Sequence, residues 1–324
     1  MVDGAASAVR ETACCGGVRV RKRWDAVTVG EIYVDHVFTG LAGWPNPGEE
    51  VFAQNYLREV GGGAAITACG LGRLGRRTAA FGVIGSGEAA WIEERLRSFG
   101  VETAGLERAE GSSGVTVSIS VGGERTFFSH RGSNALLSEY LLRSEIAEEL
   151  EQAEHVHFAV PLERHVAEAL LPRLRAAGST TSLDVGWQPE WYQAAANLQT
   201  CRDVDYFLPN GKEAEYLTEE RQPEDVLTAL EQRGFTRVVV KLGAEGAAIR
   251  TQGQLIMAPS LKVKVVDTTG AGDAFDAGLI DAILDKAEAA EMLRRATVCG
   301  ALSTRVAGAL MGLPSRQELE EIYG

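Results

Sequence analysis

The chain has 324 residues, 45% hydrophobic and 24% charged, which suits one large α/β domain carrying an appendage. A formal net charge of −13 argues against nucleic acid as a partner, because a phosphate backbone needs a concentrated basic surface. The five cysteines (Cys14, Cys15, Cys69, Cys201 and Cys299) make no C-x-x-C pair and no zinc-ligand spacing, so reduced thiols and a cytoplasmic setting are expected.

Residues 1–23 lack the apolar core of a signal peptide and are expected to be a flexible tail, with its basic cluster solvated; residues 24–324 form the folded domain. No later stretch approaches a membrane span. The first apolar run, 26–34, predicts a strand. Residues 40–60 then break the rhythm with Trp44-Pro45-Asn46-Pro47-Gly48 and an alternating run over 51–57. Residues 78–83 predict the next main strand and 92–99 a helix. A hairpin follows, with strands over 114–120 and 125–130 around Gly122-Gly123. Segments 37–60 and 114–131 together predict a small β-sheet lid. Beyond it, predicted strands at 156–160, 181–185, 206–209 and 238–242 alternate with predicted helices such as 141–150, 166–176 and 226–233. That alternation implies a doubly wound, mostly parallel sheet with helices on both faces.

Residues 265–275 read Val-Val-Asp-Thr-Thr-Gly-Ala-Gly-Asp-Ala-Phe, a predicted strand and glycine turn opening into a helix over 274–284. A helix start of this kind attracts anions, through its free N–H groups and its dipole. Gly270 and Gly272 would let the backbone approach a phosphoryl group. Asp273 among those amides reads either as a helix cap or as a base that accepts a proton from an attacking hydroxyl. Three earlier clusters read, by themselves, as local structure. Gly61-Gly62-Gly63 is a close-packed helix start. Asn210 with Glu213 is a capping-box variant. Lys241 with Gly243 and Gly246 is a strand end and turn. The five histidines show no metal spacing and read as packing or surface residues.

The run Asp267-Thr268-Thr269-Gly270-Ala271-Gly272-Asp273 resembles the C-terminal signature of the ribokinase-like carbohydrate kinases of the phosphofructokinase-B type. The other three clusters follow in that family's order, so the resemblance spans about 26–314. It implies a ribokinase-like fold and an ATP- and Mg2+-dependent transfer of phosphate to a sugar hydroxyl. Asp273 would be the base, with Gly270, Ala271 and Gly272 as the anion hole. Asn210, Lys241, Gly243 and Gly246 would border ATP, and Glu213 and Asn210 would act on magnesium through water. Asp35, Gly61, Gly62, Gly63 and Arg131 would face a small sugar-like substrate. Asp267 and the Thr269 carbonyl would hold a monovalent cation such as K+. Such kinases also dimerise through the lid. Sugar-binding members carry asparagine where Tyr33 and Ile66 stand here, so a ribose-like pose is not expected. A nucleoside acceptor stays open, with Tyr33 or Phe128 stacking on a base, as does a non-catalytic binding protein on the same scaffold. A dinucleotide oxidoreductase is disfavoured, since no Gly-x-Gly-x-x-Gly follows the first strand.

Overall fold

The structure, a computed structural model, describes residues 21–121, 124–251 and 253–323. Most of the expected tail and the Gly122-Gly123 turn lie outside the described residues.

The chain begins with β1 (Trp24–Gly30), β2 (Tyr33–Thr39) and β3 (Asn55–Gly61), then α1 (Gly63–Arg73), β4 (Thr78–Gly85) and α2 (Ala89–Arg97). The short strands β5 (Val101–Glu102) and β6 (Leu106–Ala109) lead into the hairpin β7 (Gly114–Val121) and β8 (Glu124–His130). Next come α3 (Leu137–Leu141), α4 (Ser144–Leu150), β9 (Ala153–Ala159), α5 (Arg164–Ala176) and β10 (Thr180–Leu183). After α6 (Pro189–Tyr192), α7 (Ala195–Asp203) and β11 (Tyr206–Phe207) stand α8 (Gly211–Thr218) and α9 (Pro223–Gln232). The chain closes with β12 (Val239–Lys241), β13 (Ala247–Thr251), β14 (Gln254–Ala258), α10 (Ala271–Leu284), α11 (Ala289–Ser303) and α12 (Arg316–Tyr323).

The main sheet runs β11-β10-β9-β1-β4-β5, with β6 also on β4, and its pairings are parallel. Parallel bridges from Phe207 to Val238 and from Asn210 to Lys241 carry it on to β12, whose antiparallel partners are β13 and then β14. Every residue of β4 is buried, as expected of a strand covered on both faces. Val27 and Val29 of β1 pack with α3, α4 and α5 on one face, while Ala26 packs with α1 and α10 on the other. The sheet is therefore doubly wound, as the alternating pattern predicts.

A second sheet, ordered β3-β2-β7-β8, stands apart from the first. Its first strand starts at Tyr33, before the expected 37, because the predicted 26–34 strand is cut in two. At the cut, the Asn134 side chain replaces a strand partner: its Oδ1 accepts the Ile32 amide at 3.0 Å and its Nδ2 donates to the Ile32 carbonyl at 2.9 Å. Ile32 is thereby satisfied outside either ladder, and the chain turns from the main sheet into the small one. The other strand from this region, β3, lies four residues beyond the predicted 51–57 run.

Three further expectations are corrected. The predicted 141–150 helix is two helices, broken at Arg143, whose backbone is extended. Residues 238–242 enter an antiparallel three-stranded ribbon whose other strands the pattern did not reveal. Val265 and Val266 are exposed and lie outside any strand, so the glycine signature opens from irregular chain rather than from a strand.

Candidate active site

Small residues hold α10 close between its neighbours. A Cβ on Gly70 of α1 would stand 2.7 Å from the Ala277 Cβ, and one on Gly278 would stand 2.8 Å from the Cys299 Sγ of α11. Such contacts fix the helix, and with it the position of its first turn. Gly270 caps that turn in the left-handed region, φ 74°, which favours glycine. The Ala271 amide donates to the Thr268 carbonyl at 3.2 Å, so of the three turn residues expected to form an anion hole, Ala271 has its N–H engaged within the turn. Upstream, the buried Asp267 ties the loop together: its Oδ1 accepts the Thr269 amide at 2.8 Å and its Oδ2 the Gly308 amide at 2.9 Å.

Asp273, half-buried in the first turn of α10, looks two ways. On one side it lines a cavity of about 710 Å³ together with Asn210, Glu213, Lys241, Gly243 and Gly246, all expected near a nucleotide. On the other its Oδ1 lies 2.9 Å from where a Cβ on Gly63 would stand. Burial, then the charge of Asp184, raises its carboxyl to about 6.

Asn210 and Glu213 do form a capping box on α8, as their spacing allows. The Asn210 backbone N–H donates to Glu213 Oε2 at 2.8 Å and its Nδ2 to Oε1 at 2.6 Å. Glu213 is fully buried, and burial followed by the Asp184 charge lifts it to about 7. At the opposite wall Gly246 holds φ 100°, where a Cβ would come within 1.9 Å of the Ala258 carbonyl oxygen, and Gly243 holds φ 60°.

Lys241 was expected to border ATP, and it lines the cavity. Its buried Nζ donates to Asp184 Oδ2 at 2.6 Å and to both carboxylate oxygens of Asp276 at 3.3 Å. Burial opposes the charged ammonium, but Asp184 and then Asp276 outweigh it and hold the lysine above its ordinary range. Asp184 stays ionised against its burial because Lys241 faces it, whereas the fully buried Asp276 is pushed well up. Oxygens of Asp184, Asp273 and Asp276 lie within 4.8 Å of one another, with this ammonium beside them. Behind Asp276, His157 Nε2 approaches its Oδ2 at 3.9 Å; burial depresses that ring to about 4, so it is neutral at pH 7.

Sequence reasoning missed Asp184, Asp276 and His157. Asp276 had a signal, since it follows Asp273 by three residues and so shares its helix face. Asp184 follows directly on β10, at the carboxyl end of a parallel strand, where open α/β sheets gather their ligands.

The small sheet brings up the substrate-side residues. Asp35 of β2 pairs with Glu59 of β3 and Thr116 of β7. A Cβ on Gly61 would fall 2.0 Å from Asp35 Oδ2, so only glycine leaves that carboxylate its place. Gly62 sits at φ 92° with the Glu31 carbonyl oxygen 2.2 Å from a Cβ position. Burial, then the charges of Asp273 and Glu59, pushes Asp35 up to about 7. Arg131 is 64% exposed at its side chain and pairs with Glu31 Oε1 at 2.8 Å. The Tyr33 phenol donates to Glu31 Oε2 at 2.5 Å, and Ile66 packs beside Gly270, so neither position offers a side-chain amide to a hydroxyl.

A family model described as pfkB family carbohydrate kinase matches residues 25–316. The chain belongs to the pfkB family of carbohydrate kinases. This pfkB kinase is 29% identical to the 2-dehydro-3-deoxygluconokinase of Bacillus subtilis, over 91% of this chain and 94% of that protein. It is 26% identical to the ribokinase of Haemophilus influenzae, over 90% of this chain and 96% of that one. Among solved structures, Arabidopsis thaliana ribokinase complexed with ribose and ATP superposes with a TM-score of 0.83 at 25% identity, covering 92% of this chain and 98% of that one. The pfkB kinase is thus a phosphotransferase with an alcohol acceptor, and its ribokinase-like fold is the one the signature implies.

Proposed function

We propose that this kinase transfers the γ-phosphoryl group of ATP to a hydroxyl of a sugar or sugar derivative, with Asp273 as the base. The position of Asp273 carries the reading, because its carboxylate belongs both to the 710 Å³ cavity and to the Gly63 turn beside Asp35. A group at that junction can touch a nucleotide and an acceptor at once. The Arabidopsis relative in complex with ribose and ATP supports both ligands.

The acceptor oxygen bonds to the γ-phosphorus while the bond from that phosphorus to the β,γ-bridging oxygen breaks; the hydroxyl proton passes to Asp273 and ADP leaves. A carboxylate is too weak a base to ionise an alcohol in advance. In a loose transition state it need only take the proton late, while holding the oxygen in line. The turn amides of Gly270 and Gly272 and the N-terminal end of α10 stabilise the charge on the moving phosphoryl group. Gly243 and Gly246 give the nucleotide a wall without side chains. Lys241 supplies one ammonium, fixed by Asp184 and Asp276, 3.7 Å from where a Gly272 Cβ would stand.

Magnesium, when bound, neutralises phosphate charge. Both Glu213 oxygens are engaged by Asn210 N–H groups, so these two residues suit a hydrated ion held through its water, which is how magnesium prefers to bind. The buried Asp267 with the Thr269 carbonyl is our assignment for a monovalent cation such as potassium. The small sheet acts as the lid over the acceptor, and the exposed Phe128, with its ring 6.4 Å from that of Trp44, offers the face for a homodimer, which light scattering would read out. Tyr33 is tied to Glu31 and packed on Gly114, and Phe128 aligns with Val117 and His36 on the face of the small sheet opposite to Asp35, so neither aromatic of the nucleoside alternative stands beside that carboxylate.

Coupled ADP release tests the reading, using Mg-ATP with sugars, sugar acids and nucleosides, with and without potassium. We expect acceptor-dependent release that collapses in Asp273→Asn. ADP release that ignores every acceptor would contradict it.

A further inference from the structure

We propose that His157 is a positioning residue for phosphoryl transfer: Ser182 and His155 turn its imidazole lone pair toward Asp276, which keeps that carboxyl protonated and leaves Asp184 as the charged partner of Lys241. The inference rests on the kinase reading and extends it to side chains outside the cavity lining.

His155 and His157 alternate along β9, so they share one face of the main sheet, and both are fully buried. Their register partners on β10 are Thr180 and Ser182. His155 Nδ1 stands 2.8 Å from Thr180 Oγ1, and its Nε2 stands 2.7 Å from Ser182 Oγ. The same Ser182 oxygen lies 2.8 Å from His157 Nδ1. At the far end, His157 Nε2 makes no hydrogen bond to any described residue and faces Asp276 Oδ2 at 3.9 Å.

Burial keeps both rings neutral, lowering His155 to about 3 and His157 to about 4. A neutral imidazole has one N–H and one acceptor nitrogen, and Ser182 has a single proton to give. The chain therefore runs all one way or all the other. Thr180 Oγ1 donates to the Glu154 carbonyl at 3.3 Å, so it accepts from His155 Nδ1. Ser182 then donates to His155 Nε2, His157 Nδ1 donates to Ser182, and His157 Nε2 is left as an acceptor. An N–H there would draw an ionised carboxylate to hydrogen-bond distance, about 2.7–3.2 Å. The 3.9 Å separation fits two facing acceptors instead.

The titratable groups facing Asp276 are His157 of β9, Asp184 after β10, Lys241 of β12 and Asp273 on its own helix. An ionised Asp276 would meet that lone pair and two carboxylates, with one ammonium among them. A protonated Asp276 donates to Asp184 and still accepts from Lys241. Lys241 and Asp184 then cancel, so the wall of the cavity carries no second buried anion to repel a polyphosphate.

The experiment uses the full chain with isotopically labelled histidine, ligand-free at pH 8, with His157 assigned through its contacts to neighbouring side chains. We expect long-range proton–nitrogen NMR correlations to show its neutral Nδ1–H tautomer. An Nε2–H tautomer or an imidazolium overturns the inference. Infrared difference spectra against Asp276→Asn should show a protonated-carboxyl band, and its absence overturns the inference equally. Calorimetric binding of Mg-ATP reads the functional part. In His157→Gln the side-chain amide can turn an N–H toward Asp276 and favour its ionised form. Mg-ATP should then bind at least tenfold more weakly, with the acceptor KM changed less than twofold. Adding Asp276→Asn, whose amide donates to Asp184 but cannot ionise, should recover most of that loss. Affinity unmoved in His157→Gln, or lost and not recovered in the double variant, overturns the positioning role. A wild-type chain that shows the expected tautomer but binds no Mg-ATP sinks the kinase reading, and the positioning role with it.

Discussion

Asp273 and Asp276 are one turn apart on α10 but do different chemistry, because Asp273 reaches the cavity while Asp276 is fully buried beside Lys241. Asn at position 273 keeps the shape and removes the base. We expect its kcat to fall ~10²–10⁴-fold, the usual contribution of general base catalysis, with KM values nearly unchanged. Lys241→Met would strand Asp184 and Asp276 without a counter-ion. Breaking a buried pair from one side costs ~3–5 kcal/mol, so the variant should melt well below wild type at pH 8, and Asp184→Asn added to it should recover part of the loss. Calorimetry of the single and double variants decides this. The sequence showed Asp273, Asn210 and Glu213 because each sits in a short local motif. It hid the Lys241–Asp184–Asp276 cluster, because strand β12, the end of β10 and helix α10 meet only in the folded chain.

The elements that place the site do so by close backbone approach. A Cβ on Gly63 would stand 2.9 Å from Asp273 Oδ1 and 3.0 Å from the Ala159 Cβ. Gly63→Ala should therefore displace the carboxylate and lower kcat at least tenfold while the protein stays folded, as activity and circular dichroism measured together would show. The C-terminal half of α10 is pinned differently. Its buried Asp281 accepts Arg76 Nε and Arg295 Nη1, each at 2.6 Å, and also binds Arg316. Asp281→Asn should cost ~3–5 kcal/mol in denaturant unfolding and leave the acceptor KM unchanged. The parallel strands and most helices were legible from their apolar runs. The β1–β2 break was not, because its cause is Asn134, about a hundred residues away. Nor was the loss of strand at 265–266, where β-branched residues stand exposed and tertiary context overrides propensity.

At the scale of the whole molecule, the site works against stability. Asp35, Asp273 and Glu213 have carboxyls raised to about 7, 6 and 7. The folded chain keeps these protons where the unfolded chain has released them. Their contribution is thus complete below about pH 4 and is lost as pH rises through about 7. The ligand-free kinase should become less stable over that window, and Asp35→Asn should raise its melting temperature at pH 8 but not at pH 4. At about 1.4 kcal/mol per pH unit, the gain is at most ~4 kcal/mol. Differential scanning calorimetry across pH reads it directly. The doubly wound sheet with a separate small sheet was readable from the alternation of strands and helices. How the small sheet brings Asp35 to Asp273 needed the register of β2 between β3 and β7.

The most direct test of the central claim is the pH dependence of the phosphoryl-transfer step under single turnover, for wild type and Asp273→Asn. The account predicts a wild-type rate that rises through about pH 6, as Asp273 ionises, and a variant slower by ~10²–10⁴-fold that lacks this limb. A variant within tenfold of wild type and following the same profile would contradict it.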